Sequence, residues 1–236
     1  MSNHALGQRG VLGAALRLML PQQCFACGAG SGDGVLCQAC LDSLPGAGME
    51  RCPVCALPAP GAQTCGACLA RVPPYEATLA SLDYAFPVDR IVHALKYVHR
   101  LAVVRLFIDL LARQPVPEAD LVVPMPLHEA RLRQRGFNQA AELARPLARH
   151  WGLPVLLDGV VRDLDTRPQA GLPWGERVAS MRGAFRVRRP LEGLRIVVLD
   201  DVMTTGATLA ELALSLKAAG AARVENRVVA RTPPPA

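Results

Sequence analysis

Residues 196–209 hold the side chains best suited to chemistry in this chain. Residues 196–199 are a short apolar, mostly β-branched run that ends at a carboxylate pair, Asp200-Asp201. Thr204, Thr205, Gly206, Ala207 and Thr208 form the loop that follows, and a helical pattern continues from Leu209. This order predicts a buried parallel strand, a turn at its C-terminal end and a helix N-terminus. There an α/β sheet offers backbone N–H groups and a helix dipole to a phosphate. Two carboxylates beside such a cradle suit a ligand that also carries vicinal hydroxyls and a divalent metal.

The cysteines make a second chemical feature. All eight lie between residues 24 and 68, in four Cys-x-x-Cys pairs, and Cys24, Cys27, Cys37 and Cys40 recur 28 positions later as Cys52, Cys55, Cys65 and Cys68. A Cys-x-x-Cys knuckle turns two thiolates toward one point, and two knuckles complete a tetrahedral shell for which zinc is the natural occupant. Four thiolates leave no open coordination position, so the metal is expected to be structural. A disulfide framework would need an oxidising compartment that nothing in the sequence indicates, and exchange chemistry does not need four such pairs in tandem. Spacing leaves open whether the knuckles pair in sequence or cross between the two repeats. A segment this rich in Gly and Pro has little core, so metal would supply much of its folding energy.

The elements that must position these residues follow from length and periodicity. The 236 residues, 51% hydrophobic, accommodate one α/β domain plus a small module. The expected division is an apolar helix within 1–20, a cysteine-rich module over 21–72 and an α/β domain over 75–236. Pro73-Pro74 marks the boundary. Strands are expected over 78–86, 120–124, 154–157 and 223–229, with helices over 89–97, 100–113, 138–149 and 209–219. Residues 162–190 have no clear period and suit a loop or hood. Strands alternating with helices predict a doubly wound parallel sheet.

Net charge is +6, yet only two of the 26 basic residues are lysines, Lys96 and Lys217. That surplus permits an acidic partner such as nucleic acid without requiring one. No apolar stretch reaches the length of a membrane span, and residues 11–20 are followed by Pro21 and cysteines rather than a small-residue cleavage site. A cytoplasmic location is the resulting expectation. His93, His99 and His128 are read as surface or packing residues.

The string at 196–209 resembles the 5-phosphoribosyl-1-pyrophosphate (PRPP) signature of type I phosphoribosyltransferases. Further segments narrow the resemblance: Val122-Val123-Pro124-Met125-Pro126-Leu127-His128, Arg135-Gly136-Phe137-Asn138-Gln139, Leu95-Lys96-Tyr97, and Thr166-Arg167-Pro168-Gln169 followed by Arg177. With the cysteine repeat, they make the chain similar to the ComF/GntX family of competence-associated, phosphoribosyltransferase-like proteins, from about residue 21 to 229. Ser180 departs from the pattern, because an Asn commonly follows the arginine at 177 by three positions.

The resemblance implies that Asp200 and Asp201 take the ribose hydroxyls, with Mg²⁺ between them and the pyrophosphate, and that residues 204–208 cradle the 5′-phosphate. Met125, Leu127, Arg133, Arg135, Asn138 and Gln139 fall at the pyrophosphate loop, and Lys96, Thr166, Gln169 and Arg177 are candidate hood or acceptor contacts. Thr204 stands where hypoxanthine-guanine enzymes place an acid, which argues against 6-oxopurine salvage.

Three functions fit these residues. The first is a ComF-type protein that binds PRPP and handles incoming single-stranded DNA in natural transformation, alongside a competence helicase or recombination proteins. The others are an active phosphoribosyltransferase on an unidentified base or amine, and a non-catalytic PRPP sensor.

Overall fold

The computed structural model describes residues 22–32, 34–98, 102–165 and 181–233. The helix expected within 1–20 lies outside them, as do His99, Thr166, Gln169 and Arg177. The chain forms two compact units, Met1–Leu44 and Pro45–Ala236.

In the first unit, β1 (Gln22–Gln23) pairs antiparallel with β2 (Gly30–Gly32), and α1 (Gln38–Asp42) follows the third cysteine. The second unit opens on the same pattern, with α2 (Gly66–Ala70) following Cys65. The sequence repeat is therefore a structural one. Gly28 N–H donates to Cys24 O and Ala56 N–H to Cys52 O, both at 2.9 Å, while Leu41 N–H to Cys37 O and Leu69 N–H to Cys65 O are both 3.0 Å. Gly28 and the matching Ala56 both take positive φ, 75° and 57°, because the knuckle must turn back at that position.

The remaining elements keep the expected order, with two additions: a helix at 129–135, and short strands at 160–162 and 185–187, the latter inside the stretch expected as loop or hood. They are β3 (Ala77–Asp83), α3 (Val88–Val98), α4 (Ala102–Ala112), β4 (Leu121–Pro124), α5 (Glu129–Arg135), α6 (Gln139–Trp151), β5 (Val160–Arg162), β6 (Phe185–Val187), β7 (Arg195–Met203), α7 (Ala207–Ala218) and β8 (Arg223–Arg231). The main sheet has the order β3-β8-β7-β4, and every pairing in it is parallel. Residues 154–157 add only a single parallel bridge, Val155 to Val122, rather than a full strand. β5 and β6 form a separate antiparallel ribbon.

Alternation along the strands shows why the sheet is covered on both sides. Ile196, Val198, Val224 and Val228 pack with Leu209, Leu212 and Leu216 of α7. Their neighbours Val197, Leu199 and Val229 are also fully buried, on the opposite face, which α4 and α6 cover. α6 buries Leu143, Ala144, Leu147, Ala148 and Trp151, a stripe of helical period. The doubly wound parallel sheet expected from the sequence is the observed fold.

The second cysteine module folds with this sheet. Thr78 N–H donates to Pro53 O (2.9 Å) and Asp83 N–H to Pro45 O (2.8 Å), so the chain over 45–53 caps the edge strand β3. Arg51 adds an ion pair to Asp83 at 2.8 Å and a bond to Ala56 O at 3.0 Å. The compact units divide between Leu44 and Pro45. No helix among the described residues is long and apolar enough to cross a membrane.

Candidate ligand site at the carboxyl edge of the sheet

β7 does not end at its carboxylates. It pairs with β4 only as far as Leu199–Pro124, but continues beside β8 to Met203–Arg231. Asp200 and Asp201 therefore sit just past the end of the neighbouring strand, in the position where α/β sheets open a ligand crevice. Asp201 is 3% exposed, and its N–H donates to Asp200 Oδ1 at 2.8 Å.

Lys96, from the last turn of α3, places Nζ 2.6 Å from Asp201 Oδ2. Burial alone would raise the Asp201 carboxyl, but the ammonium outweighs it and holds this group below the usual carboxylate range. Asp200 moves the other way, pushed well up by burial and then by the charge on Asp201. Lys96 itself is raised, because the two carboxylates outweigh its own desolvation.

The loop that follows turns at Gly206, whose φ of 82° lies in the left-handed region. A Cβ there would stand 2.6 Å from Met203 Cε and 3.1 Å from Tyr75 Oη, so the position needs glycine for both backbone and space. Thr204 is exposed, Thr205 and Thr208 are half-buried, and Ala207 is buried. Thr205 Oγ1 accepts from Ala207 N–H at 3.4 Å, and Ala210 N–H to Gly206 O (2.8 Å) begins α7. First-turn N–H groups of a helix have no intrahelical partner and face an anion favourably.

The segment 135–139 is a corner between helices. Gly136, at φ 78°, ends α5, and Asn138 begins α6 by accepting from Ala140 N–H at 2.9 Å. The same Asn138 side chain donates to Met125 O at 3.0 Å, while Met125 N–H donates to Leu199 O at 2.8 Å. These bonds fix the loop after β4 beside the acidic pair. Arg135 donates to the buried Gln139 Oε1 at 2.7 Å, and its charge helps lower Asp201. Leu127 is half-buried in the same loop. Arg133 instead faces solvent, paired with Glu129 on the same helix. His128 caps α5, accepting from Ala130 N–H, and His93 is exposed.

The eight thiols gather as two sequential sets, Cys24/Cys27/Cys37/Cys40 and Cys52/Cys55/Cys65/Cys68, with the sulfurs of each set within 4.8 Å of one another. A tetrahedral shell with Zn–S bonds near 2.3 Å requires sulfurs about 3.8 Å apart. Cys27 Sγ to Cys37 Sγ is 3.7 Å and Cys55 Sγ to Cys65 Sγ is 3.6 Å, so both sets fit zinc. The two sites also share their electrostatics. Against the raising effect of burial, N–H groups of Cys37, Cys27 and Ala26 hold Cys24 down to about 6. Those of Cys65, Cys55 and Val54, each 28 positions later, hold Cys52 down to about 7.

Two arginines near the site carried no signal in the sequence. Arg162 of β5 is buried, stacks 5.7 Å over the Phe185 ring and contributes positive charge toward Asp200. Arg231, the last residue of β8, lies beneath the phosphate-type loop. Neither belongs to a local motif.

A parallel sheet with this carboxyl edge, joined to two Cys₄ clusters, defines a doubly wound α/β protein carrying structural zinc sites. The double zinc ribbon domain family matches residues 15–69. The DNA utilization protein YhgH of Salmonella typhi is 37% identical over 168 residues, spanning 67% of this chain and 74% of that protein. Competence protein F of Haemophilus influenzae is 34% identical over 119 residues, spanning 49% and 51%. Among solved structures, a glutamine PRPP amidotransferase from B. subtilis, complexed with ADP and GMP, overlaps 53% of this chain and 25% of its own at 24% identity and TM-score 0.38. The chain belongs to the ComF family.

Proposed function

We propose that this protein binds PRPP with Mg²⁺ at the β7–α7 junction and takes part in the cytoplasmic handling of incoming single-stranded DNA during natural transformation. The observation that carries the ligand reading is the adjacency of an acidic pair, Asp201 buried and Asp200 half-buried, and the Gly206-turned N-terminus of α7 at one sheet edge. Asp200 and Asp201 would hold the ribose hydroxyls and the metal, since paired carboxylate oxygens are hard donors suited to Mg²⁺. That Asp201 already holds a cation, the Lys96 ammonium, supports the fit. Residues 204–208 would cradle the 5′-phosphate. The 125–127 loop with Asn138, and Arg135 held by Gln139, would face the pyrophosphate, with Arg133 within the same helix. Bound Mg²⁺ would neutralise pyrophosphate charge.

The nucleic-acid part rests on the family and on surface charge. Relatives carry names of DNA utilization and competence. Arg182, Arg186, Arg188 and Arg189 are all exposed around β6, and Arg186 pairs with Asp163 at 2.8 Å. Calorimetry with PRPP and Mg²⁺ tests the ligand site: the Asp200→Asn/Asp201→Asn double variant should lose binding while keeping its fold. Unchanged affinity in that variant would remove the assignment. Following pyrophosphate release in parallel, with single-stranded DNA and with a panel of bases, separates binding from turnover.

A further inference from the structure

Arg231 is 5% exposed, and its guanidinium is spent on backbone carbonyls of two distinct elements. Nε donates to Cys55 O at 2.8 Å, and Cys55 belongs to the second Cys₄ set. Nη1 donates to Met203 O at 3.1 Å, to Thr204 O, and to Thr232 O at 2.9 Å. One rigid, planar cation thus ties a metal knuckle to the first residue of the β7–α7 loop.

This residue lies where ribbon and loop adjoin. Between the ribbon and the loop runs an apolar cleft of about 630 Å³, with Leu57, Val72 and Pro74 on one side and Gly206 and Leu214 on the other. Arg231 and Tyr75 line the same cleft, and ribbon and loop share one core that holds Cys52, Cys55 and Cys68 with Met203 and Leu209. Charge acts in the same direction. Four thiolates around a divalent zinc carry net negative charge, and two guanidiniums lie nearby: the buried Arg231, and Arg51, which donates to Ala56 O. Losing the metal would both release the Cys55 carbonyl and leave Arg231 without its compensating charge.

We propose that Arg231 is a positioning residue that couples the second Cys₄ site to the β7–α7 loop. Metal held by Cys52, Cys55, Cys65 and Cys68 then sets the loop's affinity for a phosphorylated sugar. This rests on the ligand reading given above. Because coupling between two binding sites is reciprocal, ligand on the loop must tighten the metal by the same factor that metal tightens the ligand.

The test uses the zinc-loaded full chain with ribose 5-phosphate as probe. Zinc release to a chelator should show two phases, assigned with a Cys40→Ser variant that weakens the first site. Ribose 5-phosphate should slow only the second-site phase, about tenfold. In Arg231→Met that response should vanish and affinity for the probe should fall about tenfold, with both zinc equivalents still present. Arg231→Lys, which keeps the charge but not the fork, should recover only part of either effect. Hydrogen exchange of the amides over 204–208 in the ligand-free protein should quicken in both variants.

A zinc-replete Arg231→Met that keeps native probe affinity and native exchange would overturn the proposal. So would second-site release that ignores bound probe in the wild type. If the wild type does not bind the probe at all, the ligand reading fails, while the ligand-free exchange comparison still decides whether Arg231 couples ribbon to loop.

Discussion

Lys96 Nζ and Asp201 Oδ2 stand 2.6 Å apart, so the most buried carboxylate of the site already has a cation bound by its own chain. A metal ion brought to this carboxylate must compete with this contact or rearrange it, and the pair holds the acidic edge together in the ligand-free protein. Its dependence on pH follows from the two shifts. Asp201 is lowered from 3.8, so its contribution is present above that value and lost as pH falls through the lowered value. Lys96 is raised from 10.5, so its contribution is present below that value and lost as pH rises through the raised one. Lys96→Met should therefore destabilise the fold by about 3 kcal/mol near neutrality, the order found when one partner of a buried pair is removed. Urea unfolding at pH 7 and at about pH 2, below the 3.8 at which the contribution begins to fall, checks this. The deficit should shrink at the lower pH, and an equal deficit at both would argue against the pair.

Asp200→Asn and Asp201→Asn should part company. Asp200 is raised, so the fold resists its ionisation and loses stability as pH climbs above 3.8. An amide there keeps an oxygen to accept from Asp201 N–H and removes the like charge. Its melting temperature at pH 7 should match or exceed that of the wild type. Asp201→Asn should melt lower, because Lys96 loses its partner. Both should weaken PRPP binding, so stability and ligand affinity separate at Asp200.

Gly206→Ala should lower stability by about 1–2 kcal/mol, the cost of a left-handed non-glycine residue, and should weaken ligand binding at least tenfold. Combining it with Met203→Ala removes the nearer of the two clashes but not the backbone strain. Partial recovery of the melting temperature is the expected result. Full recovery would show that space, rather than φ, sets the requirement.

Purified protein should hold about two zinc equivalents, and the two sites should differ in consequence. Cys52 is fully buried in the core of the second unit, and its module is bonded to β3 and β8. Cys52→Ser/Cys55→Ser should broaden and depress the unfolding transition of the whole α/β unit. Cys24→Ser/Cys27→Ser, in the first unit, should leave that transition near its original midpoint. Circular dichroism melts with metal analysis compare them.

Binding of single-stranded DNA, measured against salt, should weaken steeply as ionic strength rises. Replacing Arg182, Arg186, Arg188 and Arg189 with Ala should reduce that slope without altering PRPP affinity. A slope unchanged by the four substitutions would place the nucleic-acid contact elsewhere.

Much of this was legible in the sequence, and for a common reason. The four Cys-x-x-Cys knuckles (though not their pairing into two sequential sets), the strand–loop–helix at 195–218 and the helix stripe of α6 all depend on interactions within one or two turns of chain. Knuckle spacing, an apolar run, a glycine with positive φ and a helical period are local properties, so residue order alone determines them. The segment 135–139 is a middle case. Its motif was visible, but its purpose, bonding Asn138 to Met125 O, needed the corner between α5 and α6.

The placements that give the site its character are of the other kind. Lys96 reaches Asp201 because α3 follows β3 and the sheet order sets the end of that helix against β7. Arg231 reaches both Cys55 and Thr204 because β8 lies between β3, whose edge the ribbon caps, and β7, which carries the loop. Strand order depends on the packing of both faces at once, and no single segment encodes it. The sequence alone determined the cysteine knuckles and an acidic pair ahead of a glycine-turned helix N-terminus. Only the tertiary structure decided which charges neutralise them and what supports the loop, because those partners meet through sheet order rather than through neighbouring residues.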